Sequence, residues 1–363
     1  MNKTGWTTVC WLLATALSTA SGKESNAPVY AEHQDLSYLL LADGRRQPIR
    51  SDEDWKTRRR QIVAGMEEVM GPLPRPATPV PLEIEVLEEH QVDGGLVRRK
   101  LAYHTDRADR RVTAWLLMPA QTNSPRPAVL CLHQTTAGGK DSPVGLTDRP
   151  SLHYALYLAR RGYITLSPDY PSLGEHEYDF ETDEYQSGSM KAIYDNVRAI
   201  DLLSTLPEVD TTRIGCIGHS LGGHNGLFTA VFDERIKAVV TCCGFTRFHN
   251  YKEGDLTGWA GPRYMPLIAT RYNTSPDQMP FDFPEVLAAI APRAVFVVAP
   301  MRDDNFEVSG VRDSIAAAQP IYELLRVADR LQVIYPDCGH DFPEDAREQA
   351  FAFLDEVLKS TEQ

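Results

Sequence analysis

The sequence predicts an α/β fold: a mostly parallel central sheet with helices on both faces, antiparallel strands ahead of it, and an insert over its carboxyl-terminal edge. Three observations carry this expectation. From Pro127 onward, short apolar runs alternate with helix-spaced segments, which is the rhythm of strand, crossover helix and parallel strand. Between 82 and 119 three runs alternate with a period nearer two, as half-buried antiparallel strands do. Residues 213–230, RIGCIGHSLGGHNGLFTA, pass from an apolar run into helical spacing through one serine with glycines two places to either side.

Taken in order, the chain starts with Lys3, an apolar stretch VCWLLATALSTA (9–20) and then small residues. That is the pattern of a secretory signal, with cleavage expected near Ala20 or Gly22. The stretch is too short for a stable membrane anchor. The expected organisation is a signal peptide over 1–22, an N-terminal extension with one helix over 23–81, and a catalytic domain over 82–363. The extension is polar and proline-rich, and its helix spans about Asp52 to Met70 on Trp55, Ile62, Val63, Met66 and Val69. GPLPRPATPVP (71–81) then ends regular structure. LEIEVLEEHQV, LVRRKLAYHT and VTAWLLMP read as an antiparallel meander.

The strands expected next are AVLCLH (128–133), YITLSP (163–168), IGCIGHS (214–220), IKAVVTCC (236–243), AVFVVAP (294–300) and LQVIYP (331–336). Each is apolar enough to be buried on both faces. Helices are expected near 150–161, 189–206, 221–232, 310–327 and 343–359. One gap breaks the rhythm: residues 244–284 carry many aromatics with several glycines and prolines, and loops of that length are usually functional. Attached at a strand's carboxyl end, this lid-like insert should cover the active site. Trp259, Tyr264, Met265, Phe281 and Phe283 are the candidate pocket walls, although packing of the insert on itself accounts for any one of them equally well.

The 363 residues carry a net charge of −13, which argues against a nucleic-acid partner because phosphate binding needs a cationic face. Lys56, Arg58, Arg59 and Arg60 form the densest basic run, expected to be a solvated helix face. Beyond the signal segment five cysteines remain, Cys131, Cys216, Cys242, Cys243 and Cys338. An odd number cannot all pair, and no two have zinc-ligand spacing. They are expected as thiols in or beside core strands, with no disulfide framework, no metal and no cofactor.

Chemistry converges on Ser220. A strand-to-helix turn this tight strains the serine backbone and brings neighbouring chain so close that Gly218 and Gly222 can carry no side chain. The hydroxyl is lifted from the sheet, and the Leu221 amide is left at a helix N-terminus facing a developing oxyanion. Chance alone gives G-x-S-x-G in a chain of this length with a probability of about 0.1, so its partners matter. A serine needs a base and a carboxylate to orient that base. His340, in YPDCGHDFPED after the last strand, is the expected base. The acid is expected from VVAPMRDDNFEV, with Asp303 favoured and Asp304 the alternative. The second oxyanion amide is expected from HQTTAGGKDSP, Thr135 first and Gln134 second, with His133 bracing the loop.

GHSLGG, HQTTAGGKD, RGYITLSPDYPSLGE, APRAVFVVAPMRDDNF and DCGHDFPEDARE together resemble the α/β-hydrolase superfamily over residues 110–360. Within it they resemble the exported bacterial esterases grouped with dienelactone hydrolases and acetyl xylan esterases. DEDWKTRRRQIVAGMEEVMGPLP is similar to an N-terminal segment of glucuronoyl esterases. This chain departs from that family's Cys and Arg around the serine, with His219 and Leu221 in their places. The resemblance implies an α/β-hydrolase fold and a metal-independent hydrolase that forms an acyl-serine intermediate.

The expected function is a secreted or periplasmic serine esterase acting on a small-molecule or carbohydrate ester, with acetyl or related esters of plant polysaccharides as candidates. Two alternatives stand beside it. One is a prolyl oligopeptidase-like serine peptidase, which uses the same three groups; about a hundred mature residues before the alternating strands and helices that begin at Pro127 leave no room for a propeller. The other is a catalytically inactive binding protein on the same fold.

Overall fold

The computed structural model describes residues 28–359. The expected signal peptide, with Cys10, lies outside the described residues. A short antiparallel hairpin, β1 (Tyr38–Leu40) and β2 (Arg46–Pro48), precedes helix α1 (Asp52–Met70). Ser51 caps α1 by accepting from the Asp54 amide, and Asp52, Glu53 and Asp54 place negative charge in its first turn, where the helix dipole favours it. Trp55, Ile62, Met66 and Val69 are buried along one stripe. The basic run corrects the sequence expectation. Arg58 is fully buried, ion-paired to Glu285 and stacked over the Tyr30 ring. Arg59 donates to the carbonyls of Ala289 (2.8 Å) and Val231 (2.7 Å). Positions 55, 58, 59 and 62 share a helix face, so two arginines point inward with the apolar stripe.

Next come β3 (Glu85–Val92), β4 (Leu96–His104), β5 (Arg111–Pro119) and β6 (Arg126–Leu132), then α2 (Tyr154–Arg160) and β7 (Ile164–Pro168). Helix α3 (Gly188–Thr205) leads to β8 (Val209–His219), α4 (Leu221–Phe232) and β9 (Ile236–Cys242). The segment after β9 folds as short 3-10 turns and a one-turn helix, α5 (Leu267–Thr270). The chain closes with α6 (Phe283–Ile290), β10 (Ala294–Val298), α7 (Val308–Leu324), β11 (Leu331–Ile334) and α8 (Glu344–Lys359).

Nine strands form one sheet in the order β11-β10-β9-β8-β6-β7-β5-β4-β3. From β11 to β7 every pair is parallel, and β7-β5-β4-β3 is antiparallel. This is the α/β-hydrolase fold, with the antiparallel strands preceding the parallel core as the period change indicates. Strand alternation builds two cores. In β6, Leu130 and Leu132 join the face covered by α1, α3, α4, α6 and α7, while Val129 and Cys131 join the face covered by α2 and α8. No helix among the described residues is long and apolar enough to cross a membrane.

The insert departs most from expectation. Met265, Phe281 and Phe283 are fully buried, and Trp259 is 3% exposed. Phe283 stacks on Phe245 at 5.0 Å and on Phe228 of α4 at 5.8 Å, and Phe281 meets Phe248 edge-on at 5.7 Å. These side chains are core and not pocket walls. Burying each contributes about 1.5–3 kcal/mol, so the aromatics of the insert hold it against α4 and α6. Only Tyr264 of the five stays partly exposed.

Candidate active site

The site is assembled from the carboxyl ends of β6, β8, β9, β10 and β11. At the end of β8, Ser220 takes φ 55° and ψ −117°, a left-handed conformation that a non-glycine residue rarely adopts. Its own amide donates to Cys242 O of β9 at 2.9 Å. The bend requires glycine on both sides: a Cβ on Gly218 would lie 2.2 Å from Gly222 O, and one on Gly222 would lie 2.0 Å from Leu132 O. Helix α4 therefore starts directly against β6. Leu221 is its first residue, so its N–H belongs to the turn that lacks an intrahelical acceptor.

Ser220 Oγ lies 2.9 Å from His340 Nε2, and His340 Nδ1 lies 2.9 Å from both carboxylate oxygens of Asp303. Ser220 is half-buried, whereas the Asp303 side chain is 1% exposed and that of His340 24%. Burial pushes the Asp303 carboxyl up. The hydrogen bond and charge of His340 and the amides of Asn305 and Phe306 outweigh it, so the group lies below the usual carboxylate range. Those amides meet Oδ1 at 2.9 and 3.1 Å. Asp304 is exposed, and its carbonyl accepts from Lys252 Nζ at 2.6 Å. Of the two neighbouring aspartates, only Asp303 meets the imidazole.

The His340 loop is clamped from outside. Arg149 donates to His340 O at 3.0 Å and to Asp341 Oδ1 at 2.9 Å, and Ser151 donates to the same oxygen at 2.8 Å. On the inner side the His219 ring meets the His340 ring edge-on at 4.9 Å. Burial first, and then the nearby His340, push the His219 imidazole down to about 3. Asp337 and Asp341 share the histidine's loop and do not stand behind its ring; Asp337 pairs with Arg302 at 2.7 Å.

After β6, His133 is buried and accepts the Tyr170 amide on Nε2 at 3.0 Å, while its Nδ1 lies 2.7 Å from Gln134 O. That arrangement braces the loop. Thr135 is exposed and its hydroxyl lies 3.2 Å from Tyr264 OH; Gln134 is half-buried and donates to Ser142 Oγ at 3.0 Å. A buried ion pair holds the loop's far end. Asp169 receives Lys140 Nζ at 2.7 Å, the Lys140 amide at 2.8 Å, Thr113 Oγ1 at 2.9 Å and the Glu175 amide at 3.0 Å. Sequence reasoning missed this pair and the Arg149 clamp. Lys140 and Asp169 both lie in quoted motifs, but nothing in their spacing says that they meet.

The arrangement supplies a strained hydroxyl, an imidazole with one nitrogen on that hydroxyl and the other on a buried carboxylate, and a free helix-start amide beside the hydroxyl. Such a set activates an alcohol as a nucleophile toward a carbonyl.

The chain is similar to several known proteins. The chain is 27% identical over 315 residues to YtaP of Bacillus subtilis (strain 168), covering 83% of this chain and 99% of that protein. It is 26% identical over 211 residues to the 4-O-methyl-glucuronoyl methylesterase of Hypocrea jecorina (strain QM6a), covering 50% of this chain and 43% of that enzyme. Its fold is similar to that of a glucuronoyl esterase from Solibacter usitatus, with a TM-score of 0.71 at 21% identity over 92% of this chain and 99% of that one. Residues 150–361, more than half of the chain and including Ser220, Asp303 and His340, match the model of the prolyl oligopeptidase family, and the chain belongs to that family.

Proposed function

We propose that this protein is an exported serine esterase that cleaves carboxylic esters of plant polysaccharides, acetyl or uronoyl, through an acyl-serine intermediate. The observation that carries the reading is the continuous line Asp303–His340–Ser220, with successive contacts of 2.9 Å. In this reading His340 Nε2 takes the proton of Ser220 as Oγ bonds to the ester carbonyl carbon. Asp303 holds the ring with Nδ1–H inward and stabilises the imidazolium. The Leu221 amide, with the amide of Thr135 or Gln134, receives the oxyanion, an interaction worth about 10²–10³ in rate per donor. His340 then returns the proton to the leaving alcohol. Water, deprotonated by the same imidazole, cleaves the acyl-enzyme and regenerates the hydroxyl.

The substrate class rests on two supports: the names of the relatives and the motif resemblance to acetyl xylan esterases. Tyr264 adds a third, since its half-buried ring and its hydroxyl stand beside Thr135 and suit a sugar with both apolar and hydroxyl faces. Export rests on the charged start and short apolar stretch of the first twenty residues.

A second reading, a peptidase cleaving after proline, is favoured by the family's description. Hydrolysis of p-nitrophenyl acyl esters, acetylated xylan oligosaccharides and methyl glucuronate esters, set against proline-containing amides, separates the two. The esterase reading expects ester turnover with amides at background. Amide cleavage at a comparable rate contradicts it.

A further inference from the structure

Two buried thiols stand together at the end of β9. Among the described residues, His219, Cys242 and Cys243 bring one imidazole nitrogen and two sulfurs within 4.8 Å of one another, all three side chains buried. The sheet register makes this meeting: His219, the last residue of β8, pairs directly with Cys242, and Cys243 follows with φ 50°. That left-handed turn swings the second sulfur to the same side as the first, 3.7 Å away. Two thiolates on one Zn²⁺ at about 2.3 Å each, at a near-tetrahedral angle, stand about 3.7 Å apart. His219 is 0% exposed, and neither ring nitrogen has a hydrogen-bond partner. A buried imidazole without a partner is costly, and a bound cation supplies the missing partner.

We propose that His219, Cys242 and Cys243 form a site for one thiophilic d¹⁰ cation, such as Zn²⁺ or Cd²⁺, set directly behind the His340 loop. Soft thiolate ligands select such ions. Binding exchanges two S–H bonds for two metal–sulfur bonds, and the two protons pass to solvent. Both thiols now donate to Asp341 O, at 3.6 and 3.5 Å, so the exchange also releases an inner tether of the loop that carries His340. The two released protons balance the two charges of the ion, so the net charge of the site is unchanged and the effect on His340 comes through its loop. The ion is therefore an inhibitor. Binding stands on the three ligands alone; only the inhibitory consequence rests on the esterase reading.

The test uses the full chain with Cys338, the half-buried thiol, replaced by Ser, and titrates it with Cd²⁺. One equivalent per chain is expected to produce a sulfur-to-metal charge-transfer band in the near ultraviolet and to slow ester hydrolysis about tenfold or more. X-ray absorption of the loaded chain should read two sulfur neighbours and nitrogen. Adding Cys242→Ala should abolish the stoichiometric band and the inhibition by the ion, read against that variant's own metal-free rate. A second group, Cys243 with Asp303 and His340, also lies within 4.8 Å. A single sulfur neighbour, or a full band that survives Cys242→Ala, would assign the ion to that group and overturn the proposal. Absence of any saturable band would overturn it too. If the band forms as expected but the chain hydrolyses no ester, the cation site stands and the esterase reading fails.

Discussion

The Cα of Gly222 faces the carbonyl of Leu132 so closely that an added Cβ would stand 2.0 Å from that oxygen. The start of α4 is thus pressed against the end of β6, and the strand that leads into the candidate oxyanion loop also positions the Leu221 amide. Gly222→Ala must push these backbones apart. It is expected to lower unfolding free energy by about 2–4 kcal/mol and ester hydrolysis by about 100-fold or more, read by urea denaturation and initial rates on p-nitrophenyl acetate.

Asp303 and Asp304 are neighbours with opposite surroundings, so paired substitutions separate them. Asp303→Asn keeps the shape but removes the charge behind His340, and kcat is expected to fall by about 10²–10⁴-fold. Asp304→Asn changes an exposed side chain and should stay within about twofold of wild type. Comparable losses in both, or the reverse order, would contradict the assignment of the acid.

The Lys140–Asp169 pair is buried beneath the loop that follows β6. Asp169→Ala leaves the ammonium with only Glu175, at 3.2 Å and partly exposed, and frees two amides. Breaking a buried pair from one side costs about 3–5 kcal/mol. Because the same pair holds the candidate oxyanion loop, kcat should fall more than KM rises, and steady-state kinetics on a folded fraction verified by circular dichroism reads that split.

Stability should weaken below neutral pH. Burial holds the imidazoles of both His219 and His224 down to about 3, so the fold contains them neutral while an unfolded chain binds a proton on each below about 6.5. Stability then falls as pH drops through that value, approaching a slope of about 1.4 kcal/mol per group per pH unit well below it, and by about 1.4 kcal/mol per group in total, or about 3 kcal/mol for the pair, between pH 7.5 and 5.5. Burial lowers His133 and His176 in the same direction. Two groups oppose: Asp282 is raised by burial to about 6, and His33 is raised because Glu285 outweighs its burial. Each binds a proton more readily folded than unfolded, and Asp282 returns about 1 kcal/mol at pH 5.5. Urea titrations at the two pH values check the net loss, and His224→Met should reduce that loss by about 1.4 kcal/mol.

Much of this architecture was legible because burial on two faces leaves a strong signal. The six parallel strands and the helix from Asp52 to Met70 are apolar runs or stripes with clear ends. Ser220, Asp303 and His340 were legible because each follows such a run, and the glycines betray the bend. The missed elements lack that contrast. β1 and β2 have three residues each, and β2 is Arg-Gln-Pro. Helix α6 is buried at every position and so has no polar face to set its period. The insert's aromatics look alike in sequence whether they face a pocket or a core, and only the tertiary packing on α4 decides. Arg58 misleads for the converse reason: a charge reads as solvent-facing until Glu285, 227 residues away, is placed beside it.

Ser220 labelling tests the central claim most directly. A fluorophosphonate is attacked only by an activated hydroxyl and leaves a stable phosphonyl group on it. Intact-mass and peptide mass spectrometry are expected to find one adduct per chain, on the peptide carrying Ser220, with loss of ester hydrolysis in proportion and no labelling of Ser220→Ala. Full ester hydrolysis by Ser220→Ala, or an adduct on a different residue, would contradict the account.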